Sequence, residues 1–340
     1  MKALVIRRTG PPETLCVEDW PKPALKPGQI LIKVKAAGVN FADCLARMGL
    51  YSAAPKRPFI PGYEAAGIIE EVGREVSNFK PGDRVFGATR FGGCAEFAAV
   101  DSAQALAIPE SLSFEQAAAI PVNYLTAYAA LYEQARVRKG DLILIHSAAG
   151  GVGIAAMQLC QATGATVVAM ASSDVKLERL RAMGAEHTIN TNQTNYPDTA
   201  RKLANYGDGF DVILNAAGGP TIRQDLRLLA PGGRLILYGI SSLAPLDRRR
   251  WLDLIKGFIS TPWLHPLWLI NNNKGVFGLN MAHYFKNNGV YKKIMEDIAA
   301  MVQKGEIKPV LDSNYPLDKA PQAHARLHSR QNVGKVVLVF

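Results

Sequence analysis

The six residues Ala148-Ala149-Gly150-Gly151-Val152-Gly153 carry the clearest chemical signal in the chain. Before them runs a short apolar stretch, Leu142 to Ile145; after them comes a small-residue segment ending at Gly164, then the β-branched Thr166 to Val168. Strand, glycine turn, helix and strand make one βαβ unit. Glycines in such a turn let the backbone approach a pyrophosphate, and the amides that open the helix face it with partial positive charge. The usual fingerprint is G-x-G-x-x-G, and Ala148 stands here at its first glycine. Placement between a buried strand and a helix is what makes the turn a dinucleotide site.

The next strand end selects the dinucleotide. An NAD site places an acidic residue there, about 20 residues past the turn, to bind the ribose hydroxyls. The chain instead reads Ala171-Ser172-Ser173-Asp174-Val175-Lys176. Without a carboxylate at the strand end a 2′-phosphate meets no repulsion, and Ser172, Ser173 and Lys176 offer it two hydroxyls and an ammonium. Asp174 runs against this reading, unless it serves as the N-cap of a helix over 175–183. NADPH is the expected cofactor.

These groups need a frame. Residues 1 to about 122 read as short strands broken by Gly and Pro, which suits a β-rich, barrel-like domain. Ser113 and Gln116 form a capping-box pattern at a helix start, and a further helix is expected over 124–136. From Leu142 to about Leu279 strands and helices alternate, which predicts a doubly wound parallel sheet with a last strand at 276–279. A helix near 290–303, a loop through 309–316, a helix near 318–328 and a strand over 335–340 break that alternation. They are expected to rejoin the first domain.

Composition narrows the class. The chain has 340 residues, 48% of them hydrophobic, and a formal net charge of +10. Cys16, Cys44, Cys94 and Cys160 form no C-x-x-C, so neither a disulfide framework nor a zinc knuckle is indicated. The six histidines show no metal spacing, and His146 at the end of the first sheet strand reads as a paired, partly buried group. The N-terminus has no apolar leader, and no run of about 18 apolar residues exists, so a cytoplasmic protein is expected. Lys and Arg are dispersed, without an aromatic-interleaved pattern, so no specific nucleic-acid partner is expected.

Several landmarks resemble one family over the full length. They are Gly38-Val39-Asn40-Phe41-Ala42-Asp43, Pro61-Gly62-Tyr63-Glu64-Ala65-Ala66-Gly67, Pro81-Gly82-Asp83-Arg84-Val85, the glycine turn and Val333-Gly334-Lys335-Val336. Together they resemble the medium-chain dehydrogenase/reductase superfamily, and in detail its zinc-free quinone oxidoreductase branch. Pro121-Val122-Asn123-Tyr124-Leu125-Thr126-Ala127-Tyr128 and Ile307-Lys308-Pro309 resemble homologues of the vesicle amine transport protein. The resemblance implies a GroES-like catalytic domain over 1–122, completed by 280–340, and a Rossmann dinucleotide-binding domain over 123–279. It also implies a homodimer through the last strand of the sheet.

The departures bear on the chemistry. Zinc-dependent members have Cys and His where this chain has Asn40 and Tyr63, and the cysteine-rich zinc lobe is missing. Zinc thus loses its soft and borderline ligands there, and no metal is expected. Without a Lewis acid the feasible step is hydride transfer to an acceptor already activated, a quinone or the β-carbon of an α,β-unsaturated carbonyl. The resemblance makes Tyr51 and Tyr63 candidate donors to the developing enolate, each otherwise a packed aromatic, and gives Asn40 a contact with nicotinamide ribose or substrate. It places Thr126, Asn215, Ala216, Tyr238, Gly239, Ile240, Phe277, Leu279 and Asn332 against the cofactor.

Trp251 to Ile270 is apolar and aromatic and follows Arg248-Arg249-Arg250. Pro262 and Pro266 rule out one straight helix. It reads as a cap, a subunit contact or a membrane-surface anchor. The expected function is NADPH-dependent reduction of a quinone or enone. The alternative is an NADPH-binding, membrane-associated or regulatory protein with little turnover.

Overall fold

The computed structural model describes residues 1–204, 209–241, 259–284 and 288–340. Arg248 to Arg250 and the first part of the apolar stretch, 251–258, lie outside the described residues. Two compact units divide the chain, Met1–Leu125 with Met281–Phe340, and Thr126–Asn280.

Six parallel strands build the sheet of the second unit. In spatial order they are His187–Asn190, Thr166–Ala171, Leu142–Ile145, Phe210–Asn215, Leu229–Leu237 and Gly275–Gly278. In chain order that is 3-2-1-4-5-6, whose reversal between the first and fourth strands is where such folds bind ligands. Leu144, Val168, Ile189, Phe210, Ile213 and Leu235 fill one core of this unit. The helix Gly151–Thr163 follows the glycine turn and ends at Gly164, whose φ of 79° is a left-handed C-cap that glycine adopts without strain.

The first unit is organised by the long strand Gln29–Val39, which pairs with Glu64–Val72, Phe97–Asp101 and Lys335–Val339. The C-terminal segment therefore joins the N-terminal sheet. Two expectations change here, and one helix is added. Leu311–Pro316 is a strand parallel to Lys335–Val339, not a loop; its neighbour supplies the pairing that local sequence does not advertise. The helix expected over 124–136 is Pro121–Tyr128 followed by a π-helical stretch, Ala129–Gln134. The helix Phe41–Met48 was unforeseen, because eight residues carry too short a periodic signal.

Helix Phe41–Met48 packs near Ala320–His328 through buried polar groups. Arg47 is fully buried and donates to the Gly10 carbonyl and to His328 Nδ1 at 3.3 Å. His324, also fully buried, has Nδ1 3.7 Å from Cys44 Sγ. Burial, with Arg47 and His328 beside it, pushes His324 down to about 3. The unfolded chain then takes a proton near 6.5 that the folded chain refuses, so His324's contribution to stability is full above that pH and is lost as pH falls towards 3. Asp43, raised to about 6 by burial, acts in the opposite sense between about 4 and 6. His324→Gln is expected to flatten the acid limb of a urea-unfolding free energy measured against pH; an unchanged slope would refute this.

Candidate functional site

Strand register assembles the first-unit cluster. Val39 lies opposite Val336, and Ala37 opposite Ala65, so Lys335 falls beside Asn40 and Glu64 beside Gly38. The Lys335 ammonium pairs with Glu64 Oε1 and donates to Asn40 Oδ1 at 2.6 Å, while Asn40 Nδ2 donates to Glu64 Oε1 at 2.9 Å. Glu64 Oε2 accepts from Val122 N at 2.8 Å. A Cβ on Gly38 would collide with the Glu64 carboxylate, the Lys335 chain and the Ala118 carbonyl, so only glycine admits this cluster.

Asp43 ties that cluster to the tyrosines. Its two oxygens accept from Asn40 N and Gly62 N, both at 2.9 Å. Gly62 also gives its carbonyl to Thr89 Oγ1 at 2.8 Å, so the backbone before Tyr63 is held from both sides. Tyr51 and Tyr63 meet edge to face with centroids 6.1 Å apart, and Phe91 packs 4.7 Å from Tyr63. Tyr63 is 6% exposed, and its hydroxyl finds no hydrogen-bond partner among the described residues. Burial holds that phenol protonated, and Tyr51 and the Asp43 carboxyl add to the shift. A neutral, buried O–H lacking an acceptor can serve an incoming carbonyl oxygen.

In the second unit the glycine turn takes the shape a pyrophosphate needs. Ser147 has φ of 51°, Gly150 is the N-cap, and Gly150 N bonds back to Ser147 O at 2.9 Å. A Cβ on Gly153 would run into the Ala148 backbone, so the third glycine lets helix and turn pack together. Ala149 is buried, whereas Gly151 and Val152 are half-buried. The left-handed residue is Ser147, one position before Ala148, which stands at the first glycine's place without a positive φ. The turn thus fits a dinucleotide, with the amides at the start of Gly151–Thr163 available to phosphate oxygens.

Asn215 ends the fourth strand beside His146 at the end of the first. Its amide is fully used: Oδ1 accepts from Ala217 N and Gly218 N, both at 2.7 Å, and Nδ2 donates to Thr221 Oγ1 and Asp225 Oδ2. His146 Nε2 lies 3.0 Å from Asp225 Oδ1, which also accepts from the Tyr196 hydroxyl at 3.1 Å. This network pins the turn after Asn215. Nothing local in the sequence links Asp225 and Tyr196 to it. Ala216 and Gly239 approach backbone to backbone beside it, and Tyr238 N donates to Asn215 O at 3.1 Å.

The other expected contacts are spread more widely. Thr126 is buried, Ile240 and Phe277 are exposed, and Leu279 is buried at the end of the sixth strand. Asn332 is buried and donates to Gly334 O at 2.9 Å, within its own turn. At the second strand end, Ser173 and not Asp174 is the N-cap of Asp174–Ala182. The Asp174 carboxylate instead accepts from Asn190 and Gln193. The N-cap reading is therefore replaced: Asp174 is the first residue of the helix, and its carboxylate is held by two side-chain amides that follow or end the neighbouring strand. Among the described residues no group of three or more His, Cys, Asp or Glu could hold a metal ion.

Comparison with known families decides the affiliation. The alcohol dehydrogenase GroES-like domain matches residues 26–111, and the zinc-binding dehydrogenase family matches 183–338. Quinone oxidoreductase of Rattus norvegicus is 37% identical over 344 aligned residues, covering 100% of this chain and 98% of the relative. The chain belongs to the medium-chain dehydrogenase/reductase superfamily. A synaptic vesicle membrane protein VAT-1 homolog of Danio rerio is also 37% identical, over 93% of this chain but 65% of that longer protein. A mycobacterial protein complexed with NADPH superposes with a TM-score of 0.88 at 28% identity, covering 100% of both chains. The first unit is accordingly GroES-like and the second a Rossmann-like parallel sheet, and the chain is an oxidoreductase near the quinone oxidoreductase and VAT-1 branch.

Proposed function

We propose that this superfamily member is an NADPH-dependent, zinc-independent reductase of quinones or α,β-unsaturated carbonyls. One observation carries the reading: the buried Tyr63 hydroxyl beside Tyr51, which makes no hydrogen bond within 3.5 Å among the described residues. An unmade hydrogen bond on a buried group costs about 1–3 kcal/mol. A quinone or enone oxygen would take it up, and the bond strengthens as negative charge develops there. NADPH supplies the hydride. The protein binds the acceptor oxygen, delivers a proton to it from a phenol or from solvent, and excludes water from the reacting carbon. Asn40 and Tyr63 replace the thiolate and imidazole that zinc requires, and Asn40's amide is committed to Lys335 and Glu64.

The experiment is NADPH oxidation with 9,10-phenanthrenequinone and a panel of alkyl enones, with and without a chelator. Chelator-insensitive turnover is expected. A folded, NADPH-binding protein inert towards the whole panel would overturn the reading.

A second reading, a membrane-associated NADPH-binding protein with little turnover, draws on the exposed apolar surface. Trp263 is fully exposed, and Ile259, Leu267 and Ile270 are more than half exposed. No helix among the described residues is long and apolar enough to cross a membrane. We assign this surface, with the edge strand Gly275–Gly278, to a second copy of the chain. Light scattering together with vesicle co-sedimentation separates the two: a dimer that ignores vesicles supports the assignment, and a monomer that sediments with them overturns it.

A further inference from the structure

The second strand end holds a carboxylate that the cofactor reading leaves without a role. Asp174 opens the helix Asp174–Ala182, three residues beyond the strand Thr166–Ala171. Parallel pairing sets Asn190 opposite Ala171, so the second and third strands end side by side. Thr191 N continues the ladder to Ala171 O at 2.9 Å, and Asn192 Nδ2 donates to Ser172 O at 2.9 Å. The segment after the third strand is thereby fastened beside Ser172 and Ser173.

Both oxygens of Asp174 are taken from that side. Asn190 Nδ2 donates to Oδ1 at 2.8 Å and Gln193 Nε2 donates to Oδ2 at 2.7 Å. The orientation of the Asn190 amide is determined, because its Oδ1 accepts from Asn192 N at 3.0 Å and the residue is 7% exposed. These two donors, with the Arg181 charge, keep the carboxyl ionised below the usual range. Arg181 itself donates to Thr188 Oγ1 at 2.8 Å.

A carboxylate near an adenosine ribose has two opposite effects. It accepts hydrogen bonds from the ribose hydroxyls of NADH, and it repels the 2′-phosphate of NADPH. We propose that Asn190 and Gln193 clamp Asp174 away from the ribose and so set the preference for the 2′-phosphate. The inference rests on the NADPH reading above and deepens it: Ser172, Ser173 and Lys176 supply attraction, and the clamp removes the competing repulsion. Specificity here comes from restraining a group as much as from adding one.

The test is a set of three variants, N190A/Q193A, D174A and the triple, each titrated with NADPH and with NADH at one ionic strength. Freed by N190A/Q193A, Asp174 should lower the NADPH-to-NADH affinity ratio by about 10-fold or more, the scale of one charge-assisted hydrogen bond gained or one repulsion restored. D174A should keep the parent's ratio, and the triple variant should return to it. A double variant with the parent's ratio would overturn the clamp, as would a triple variant that stays shifted. Should the double variant fail to fold, Q193A alone changes an exposed residue and reads the same ratio, with a smaller drop expected and no drop refuting the clamp. A parent that binds NADH more tightly than NADPH overturns the cofactor reading itself, whatever the variants do.

Discussion

Tyr63→Phe is expected to lower kcat for quinone or enone reduction by about 10²–10³-fold, the usual cost of losing one preorganised donor to a developing oxyanion. Its melting temperature should stay the same or rise. The two expectations have one cause. The Tyr63 hydroxyl is buried and makes no hydrogen bond within 3.5 Å among the described residues, so the folded state gains little from it. The ring, by contrast, keeps its packing on Tyr51 and Phe91 when the oxygen is removed. A group that the fold does not need but the reaction does must lose activity without losing stability. Steady-state kinetics and thermal melts on Tyr63→Phe and Tyr51→Phe test this. Parent-like kcat in Tyr63→Phe would transfer the donor role to Tyr51 or to solvent.

Lys335→Met is expected to cost about 3–5 kcal/mol of stability, because it strands a buried carboxylate. Glu64 is fully buried and Lys335 is 3% exposed. After the substitution Glu64 keeps, among the described residues, the Asn40 amide and the Val122 N–H. Those two donors do not replace a full positive charge in a medium of low polarity. The double variant Lys335→Met/Glu64→Gln should recover part of the loss, since it removes the uncompensated charge as well. Urea unfolding of both variants measures this. A loss under about 1 kcal/mol in Lys335→Met, the scale of an exposed pair, would show that water reaches Glu64. Asn40 should also lose the donor to its Oδ1, while its Nδ2 stays on Glu64.

Much of the Rossmann-like half could be read directly. Leu142–Ile145 begins and ends where its residues predict, because a strand buried on both faces is a short apolar run with sharp boundaries; the edge strand His187–Asn190 also falls at its expected bounds, although it is polar and partly exposed. Ser113 and Gln116 form the reciprocal cap that their spacing implies. Harder were elements whose partner is remote. Leu311–Pro316 is a strand only because Lys335–Val339 lies beside it, and Phe41–Met48 is a helix too short to announce itself.

Site residues divide in the same way. The glycine turn is a local backbone device, so its sequence alone identified it, Ala148 notwithstanding. Tyr51, Tyr63 and Asn40 were reached through family landmarks. Their polar partners were not: Lys335 lies 295 positions from Asn40, and Asp225 lies 79 from His146. Asp174 shows the limit most plainly, since its residue type suits a helix cap, a ribose ligand or a clamped bystander equally well.

By itself the sequence determined the βαβ unit, the dinucleotide turn, the absence of Cys and His at the zinc positions and the superfamily. Each is written in consecutive residues or in short motifs whose geometry is local. Only the tertiary structure decided which carboxylates are spoken for, which amide is saturated and which phenol is left without a partner. Those facts depend on strand register and burial, which bring distant residues within hydrogen-bonding reach and exclude the water that would otherwise satisfy them.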